Sequence, residues 1–189
     1  MVPSRAPTPR SDLRGFTLIE LMVTLTVMAI ALSLAAPSFA NLLASNRIST
    51  QTNELVGALN LARSEAVRRG QPVTLLAGDA NYSKGWTVFP DANGNGAAAS
   101  ATDEVDGLPI RQASAFGGTV ALRRQSCTGS PCTYADSTAT FVVFTSRGGT
   151  SEIVYFKACD PNRTSVKGRL LQVNVVGKIT LLNTSLACT

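Results

Sequence analysis

Apolar positions run almost without interruption from Phe16 to Ala36, and Glu20 is the only charged residue among these 21. About 20 predominantly apolar residues suffice for a helix to cross a bilayer, so the pattern predicts a transmembrane helix over 16–36. Beyond Pro37 the pattern changes rather than stops. Ile48, Leu55, Leu59, Ala62 and Ala66 keep one face apolar at helical spacing, while Glu54, Glu65, Arg68 and Arg69 lie mostly off that stripe. Glu65 and Arg69 also form a favourable i,i+4 pair. No proline intervenes between Pro37 and Pro72, and Gly70 supplies a stop. The expectation is one helix over 16–69, about 80 Å long. Pro37 has no amide to bond Ser33 and should bend it. The amphipathic second half needs a globular partner to cover its stripe.

That partner reads as β. Segments 73–77, 85–89, 108–113, 119–124, 139–145, 152–158, 169–176 and 178–182 are short and rich in Val, Ile, Leu, Thr or Phe, with Gly, Asn, Asp and Pro clusters between them. The last two flank Gly177 and fit either a hairpin or one strand broken by a glycine bulge. No helical pattern of useful length follows Arg69. The fold class is therefore α+β, a long N-terminal helix packed on an antiparallel β domain over 70–189.

Composition narrows the chemistry. The chain has no histidine, which removes the commonest general base and metal ligand. No nucleophile elbow or phosphate loop appears either, so no catalytic residue is assigned and no enzyme is expected. Cys127, Cys132, Cys159 and Cys188 all follow the apolar span. An even count in an exported region reads as disulfides, and four cysteines allow three connectivities. Thr-Gly-Ser-Pro between Cys127 and Cys132 forms turns, which favours a local pair and leaves Cys159 for Cys188. Zinc is the rival, but the spacings do not give two short ligand pairs. The segment before the span holds Arg5, Arg10 and Arg14 against Asp12, and these charges place the C-terminal domain across the membrane from the cytoplasm.

A carboxylate inside an apolar span costs roughly 2.5–3.5 kcal/mol on insertion scales, which marks Glu20 as functional. The sequence around it, Arg14-Gly15-Phe16-Thr17-Leu18-Ile19-Glu20, resembles the class III signal of type IV pilins and type II secretion pseudopilins. In that family a prepilin peptidase cuts after the glycine and methylates the new N-terminal Phe, and a Glu stands at mature position five. The resemblance implies a cytoplasmic leader over 1–15 that is removed, cleavage between Gly15 and Phe16, and N-methylation of Phe16. It also implies Glu20 as the assembly contact, paired with the Phe16 amine of a neighbouring subunit, and Pro37 as the helix bend. An ordinary secretory signal is cut after its apolar core, whereas this cut precedes it and leaves the anchor on the protein. Removal of 15 of the 189 residues leaves 174, with +3 of the total charge of +5.

The exported region resembles the GspH/FimT branch of the family. The matching stretches are 62–66 (Ala-Arg-Ser-Glu-Ala), 85–89 (Gly-Trp-Thr-Val-Phe), 91–96 (Asp-Ala-Asn-Gly-Asn-Gly), 144–148 (Phe-Thr-Ser-Arg-Gly), 158–160 (Ala-Cys-Asp) and 176–179 (Val-Gly-Lys-Ile), followed by Cys188. The branch implies a helix plus two antiparallel sheets and the role of a minor pilin that primes pilus assembly at or near the tip. Its partners would be other minor and major pilins, and its location the bacterial inner membrane, with the domain in the periplasm, and then the pilus. An H-type minor pseudopilin of a type II secretion system has the same architecture.

Two further motifs carry chemistry. Asp91, Asn93 and Asn95 match the first half of an EF-hand calcium loop, but position twelve is Thr102 where a bidentate Glu is required. Asp103, Glu104 and Asp106 stand nearby. A Gly/Asn-rich turn accounts for the same residues, so no metal or cofactor is expected. For DNA, the basic residues Arg123, Arg124, Arg147, Arg163, Lys167, Arg169 and Lys178 are candidate phosphate contacts. Some FimT-type members bind DNA through a C-terminal G-R-x-R motif. Here that stretch reads Gly177-Lys178-Ile179-Thr180, so both arginines are replaced and DNA ranks below the structural role. Arg169 and Lys178 are the residues it would use.

Overall fold

The structure is a computed structural model that describes residues 15–79, 81–96, 108–128, 132–163, 165–186 and 188. Among the described residues the sequence pattern becomes one helix, α1 (Leu18–Arg69), and nine strands. These are β1 (Val73–Ala77), β2 (Trp86–Pro90), β3 (Arg111–Ala113), β4 (Ala121–Thr128), β5 (Thr133–Asp136), β6 (Phe141–Phe144), β7 (Val154–Cys159), β8 (Gly168–Val173) and β9 (Ile179–Leu186). They form two antiparallel sheets, ordered β3-β2-β1-β6 and β5-β4-β7-β8-β9. The chain divides into two compact units at residues 39 and 40.

In the first unit every described side chain up to Phe39 is exposed. One helix is thus long and apolar enough to cross a membrane, by length and composition. Helix α1 continues on both sides of Pro37.

The second unit, from Ala40, holds the rest of α1 and both sheets around one core. The expected stripe is buried: Ile48, Leu55, Leu59, Ala62 and Ala66 face the sheets, joined by Ala44, Gln51, Thr52 and Ala58 on the same side of the helix. Val73, Leu75, Trp86, Val88, Val142 and Phe144 come from the first sheet. Leu122, Val154, Phe156, Ala158, Leu171 and Val173 come from the second. Small alanines on the helix let it lie close to both.

A 3-10 turn, Tyr82–Lys84, joins the three layers. Tyr82 is fully buried, meets the Phe156 ring edge-on at 5.1 Å and donates its hydroxyl to the Thr140 carbonyl at 3.0 Å. Asn81 Oδ1 caps the turn at Ser83 N–H (3.0 Å) and accepts Leu122 N–H (2.9 Å) from the second sheet. Ser83 donates to Gln51 Oε1 on the helix at 3.2 Å.

The strands around Gly177 form a hairpin, not one broken strand. Val173 pairs with Ile179, and Asn174 N–H donates to the Lys178 carbonyl at 3.0 Å across the turn. Strand β5 had no counterpart in the pattern. Its residues are mostly exposed and show no apolar alternation. Its register on β4 sets Cys127 opposite Tyr134 and Thr128 opposite Thr133, beside the Cys127–Cys132 bond.

Candidate processing and assembly site

Helix α1 begins where the Gly15–Phe16 junction ends. Thr17 is the residue before the first helical position, and its Oγ1 accepts the Glu20 N–H at 3.2 Å while its carbonyl accepts the Leu21 N–H at 3.1 Å. Thr-x-x-Glu ahead of an apolar run is the capping-box pattern, so Thr17 had a sequence signal of its own. Glu20 sits in the first turn, where the helix dipole favours a negative charge. The junction, the cap and the carboxylate therefore occupy one turn, with Phe16 and Glu20 both exposed.

A second constellation gathers three of the family-like stretches. Arg63 on α1 donates Nε to the Gly148 carbonyl at 3.1 Å and a terminal nitrogen to the Val176 carbonyl at 3.2 Å. The two loops close on each other: a Cβ on Gly177, at φ +76°, would lie 1.9 Å from the Gly148 oxygen. One guanidinium thus fixes the helix to both turns. Periodicity gave no sign of this, because Arg63 lies beside the buried stripe rather than on it.

The loop after β2 is anchored by Asp91, which is fully buried. Its Oδ2 accepts the Thr74 hydroxyl (2.6 Å) and Gly96 N–H (2.9 Å), and its Oδ1 accepts Asn95 N–H (3.2 Å). Asn93 Oδ1 also accepts Asn95 N–H, at 2.9 Å. Donors converge here on a carboxylate, which is the opposite of a cation's requirement for converging oxygens. Gly96 has φ +75°, and a Cβ there would strike the Phe141 ring at 2.4 Å, so the glycine serves packing. Thr102, Asp103, Glu104 and Asp106 lie outside the described residues. Among the described residues no group of three or more Asp, Glu, Cys or His side chains could hold a metal.

Cys127 is bonded to Cys132, and Cys159 to Cys188, with Cα separations of 5.4 and 5.5 Å. The second bond ties the C-terminal residues to the end of β7.

The two residues a DNA role would use do not come together, although Lys178 stands beside Arg147 where Gly177 meets Gly148. Arg169 lies at the start of β8, opposite Ala158, whereas Lys178 sits in the turn at the other end of the hairpin. The two are separated by the length of the strand, about 16 Å. Arg124 is buried and donates to the Phe141 carbonyl at 2.6 Å and to Glu152. Arg123 is paired with Asp136 at 2.9 Å.

A methylation-type junction opening a long apolar helix, followed by a helix-on-two-sheets domain stapled by disulfides, defines the pilin and pseudopilin class. The chain belongs to the type II transport protein GspH family, which it matches over residues 51–177. The prokaryotic N-terminal methylation motif matches residues 10–36. A fimbrial protein of Pseudomonas aeruginosa is 31% identical over 97 residues, which are 50% of this chain and 62% of that protein. The chain thus spans less than two thirds of that relative's length. Among solved structures, the type IV minor pilin FimU of P. aeruginosa is similar at a TM-score of 0.57 with 24% identity, over 76% of this chain and 96% of its own. The minor pseudopilin EpsH of the Vibrio cholerae type II secretion system is similar at 0.50 with 13% identity, over 73% and 97%. Both share the fold.

Proposed function

We propose that this chain is a minor type IV pilin, a structural subunit that helps prime pilus assembly and sits at or near the tip. The observation that carries the reading is the single charged residue of the apolar stretch, Glu20, placed one turn after the Gly15–Phe16 junction on an exposed helix. An exposed apolar face of this length demands cover, which is lipid before assembly and neighbouring helices after it. A prepilin peptidase removes residues 1–15 and methylates Phe16, residues 16–36 anchor the chain in the inner membrane, and residues 70–189 act on the periplasmic side. The partners are other minor and major pilins. Glu20 is met by the Phe16 amine of a neighbour, a pairing strengthened by low dielectric.

Intact mass of the membrane form tests the processing step, with loss of the leader and gain of one methyl group expected. A mature protein that begins after Ala36 refutes the reading. Glu20→Ala should insert and fold normally, since it removes an insertion cost, yet fail to enter filaments. Normal incorporation of that variant removes the assembly role.

The GspH match over residues 51–177 favours one second reading, an H-type minor pseudopilin of a type II secretion system. Crosslinked partners distinguish them: pilins support the first reading and pseudopilins the second. A DNA receptor for natural transformation is a third role, and the distance between Arg169 and Lys178 speaks against it.

A further inference from the structure

Residues 21–46 contain no Asp, Glu, Lys or Arg, and α1 is continuous through them. At 1.5 Å per residue the uncharged stretch measures about 39 Å, longer than a hydrocarbon core of about 30 Å. Arg47 is the first charge the chain meets after Glu20. It lines a hollow of about 440 Å³ with Ala40, Leu43, Thr119, Asp160 and Arg163.

The hollow is built to present two guanidinium groups. Gly118, at φ +109°, leaves room for Arg47, since a Cβ there would lie 3.3 Å from the Arg47 Nη1. Arg163 is held against the helix by donating to Asn41 Oδ1 at 3.2 Å, and its own N–H bonds the Asp160 carbonyl at 3.1 Å. Neither arginine meets a carboxylate among the described residues. Asp160 is buried, and its Oδ1 accepts the Thr119 hydroxyl (2.8 Å) and Asn162 N–H (3.1 Å). Two cations therefore face one carboxylate already engaged by its neighbours, and the balance is positive. On the preceding helical turn, Leu42 and Leu43 are exposed.

We propose that this hollow docks the phosphate of an anionic phospholipid headgroup at the exit side of the membrane-spanning segment. Arg47 and Arg163 supply forked donors suited to phosphate, and Leu42 and Leu43 lie against the glycerol and upper acyl region. The inference rests on residues 16–36 spanning the membrane. Ala40 follows Ala36 by four residues, at most about 14 Å of chain, so the site stays at the interface while the span is inserted. Inorganic phosphate shares the headgroup's charge but not its apolar contacts, which is why the lipid is the occupant.

The test uses the full chain in a zwitterionic detergent, with phosphatidylglycerol, phosphatidylcholine or inorganic phosphate added and bound molecules counted by native mass spectrometry. One phosphatidylglycerol should be retained per chain. Arg47→Gln/Arg163→Gln should lower that retention about thirtyfold, as expected for two interfacial arginines, and Arg47→Gln alone should give part of the loss. Arg147→Gln, at an exposed turn elsewhere, should behave as wild type. Emission of the sole tryptophan, Trp86, checks folding of each variant. Equal retention of both lipids, equal retention by the double variant, or binding of inorganic phosphate as strong as that of the lipid overturns the proposal. Carbonate-resistant membrane association of the same proteins separates the two failures. Its loss sinks the membrane reading and the docking site together, whereas its persistence without lipid selection sinks the docking site alone.

Discussion

Arg63 serves two loops with one side chain, and each of its bonds ends on a backbone carbonyl. Removing a charged donor costs roughly 1.5–3 kcal/mol per bond, so Arg63→Ala should lose about 2–4 kcal/mol in urea unfolding followed by Trp86 emission. Gly177→Ala adds a Cβ at 1.9 Å from the Gly148 oxygen at positive φ, and should destabilise by at least about 2 kcal/mol in the same assay. Glu65 behaves differently. The hydrogen bond from Arg68, then that from Arg69, holds its carboxyl down from 4.5 to about 2, against partial burial, which raises it. A carboxylate with a lowered folded-state pKa stabilises the fold above its unfolded pKa, and this contribution fades as pH falls through the folded value. The window therefore runs from pH 4.5 down to about 2. Arg68 is largely exposed, so solvent screening keeps the gain small. An NMR titration of Glu65 should show the low midpoint, and Arg68→Gln should raise it. An ordinary midpoint in the wild type would contradict the pairing.

At the scale of elements, the Cys159–Cys188 bond closes a separation of 29 residues around β8 and β9. The chain-entropy model values such a loop at about 3–4 kcal/mol, against about 2 for Cys127–Cys132, which spans 5 residues. Cys159→Ser/Cys188→Ser should therefore lower the thermal midpoint more than Cys127→Ser/Cys132→Ser, as read by calorimetry. The reverse order would show that the β4–β5 edge limits stability. Helix α1 and strand β1 were legible because periodicity and breakers agree there: the stripe from Ile48 to Ala66 faces the core, and Gly70 and Pro72 end the helix. Strand β5 was not legible, since an exposed edge strand has no buried face to write into its sequence. The Tyr82–Lys84 turn escaped for a related reason. Its side chains bond three different layers, and no local pattern encodes such meetings. Thr17 is legible in its Thr-x-x-Glu spacing, a weaker signal than that of Glu20.

For the molecule as a whole, the basic residues form small groups rather than one patch, Arg47 with Arg163 at one hollow and Arg147 beside Lys178 where Gly148 meets Gly177. Arg68, Arg69, Arg123 and Arg124 are engaged in ion pairs, and Arg169 and Lys178 stand at opposite ends of one hairpin. Weak binding to DNA at low salt follows from the net charge of the chain, +5. Retention near about 150 mM salt requires several phosphates engaged together, where non-specific binders show dissociation constants of about 10⁻⁴–10⁻⁶ M. The unit from Ala40 onward should not hold micromolar affinity under those conditions. Sub-micromolar binding that disappears in Lys178→Ala would reverse this ranking and make DNA capture the leading role.

The buried stripe of α1 has a mechanical meaning. From Ala44 to Ala66 the helix lies in the core for about six turns, and Arg63 is bolted to two loops at the far end. A pull along the helix axis from Ala40 therefore loads every one of those contacts together, in shear, rather than peeling them one after another. Beyond them, the bond from Cys159 to Cys188 keeps the last hairpin out of the stretched path. Force applied at the Ala40 end therefore meets the whole buried stripe at once, with both sheets behind it.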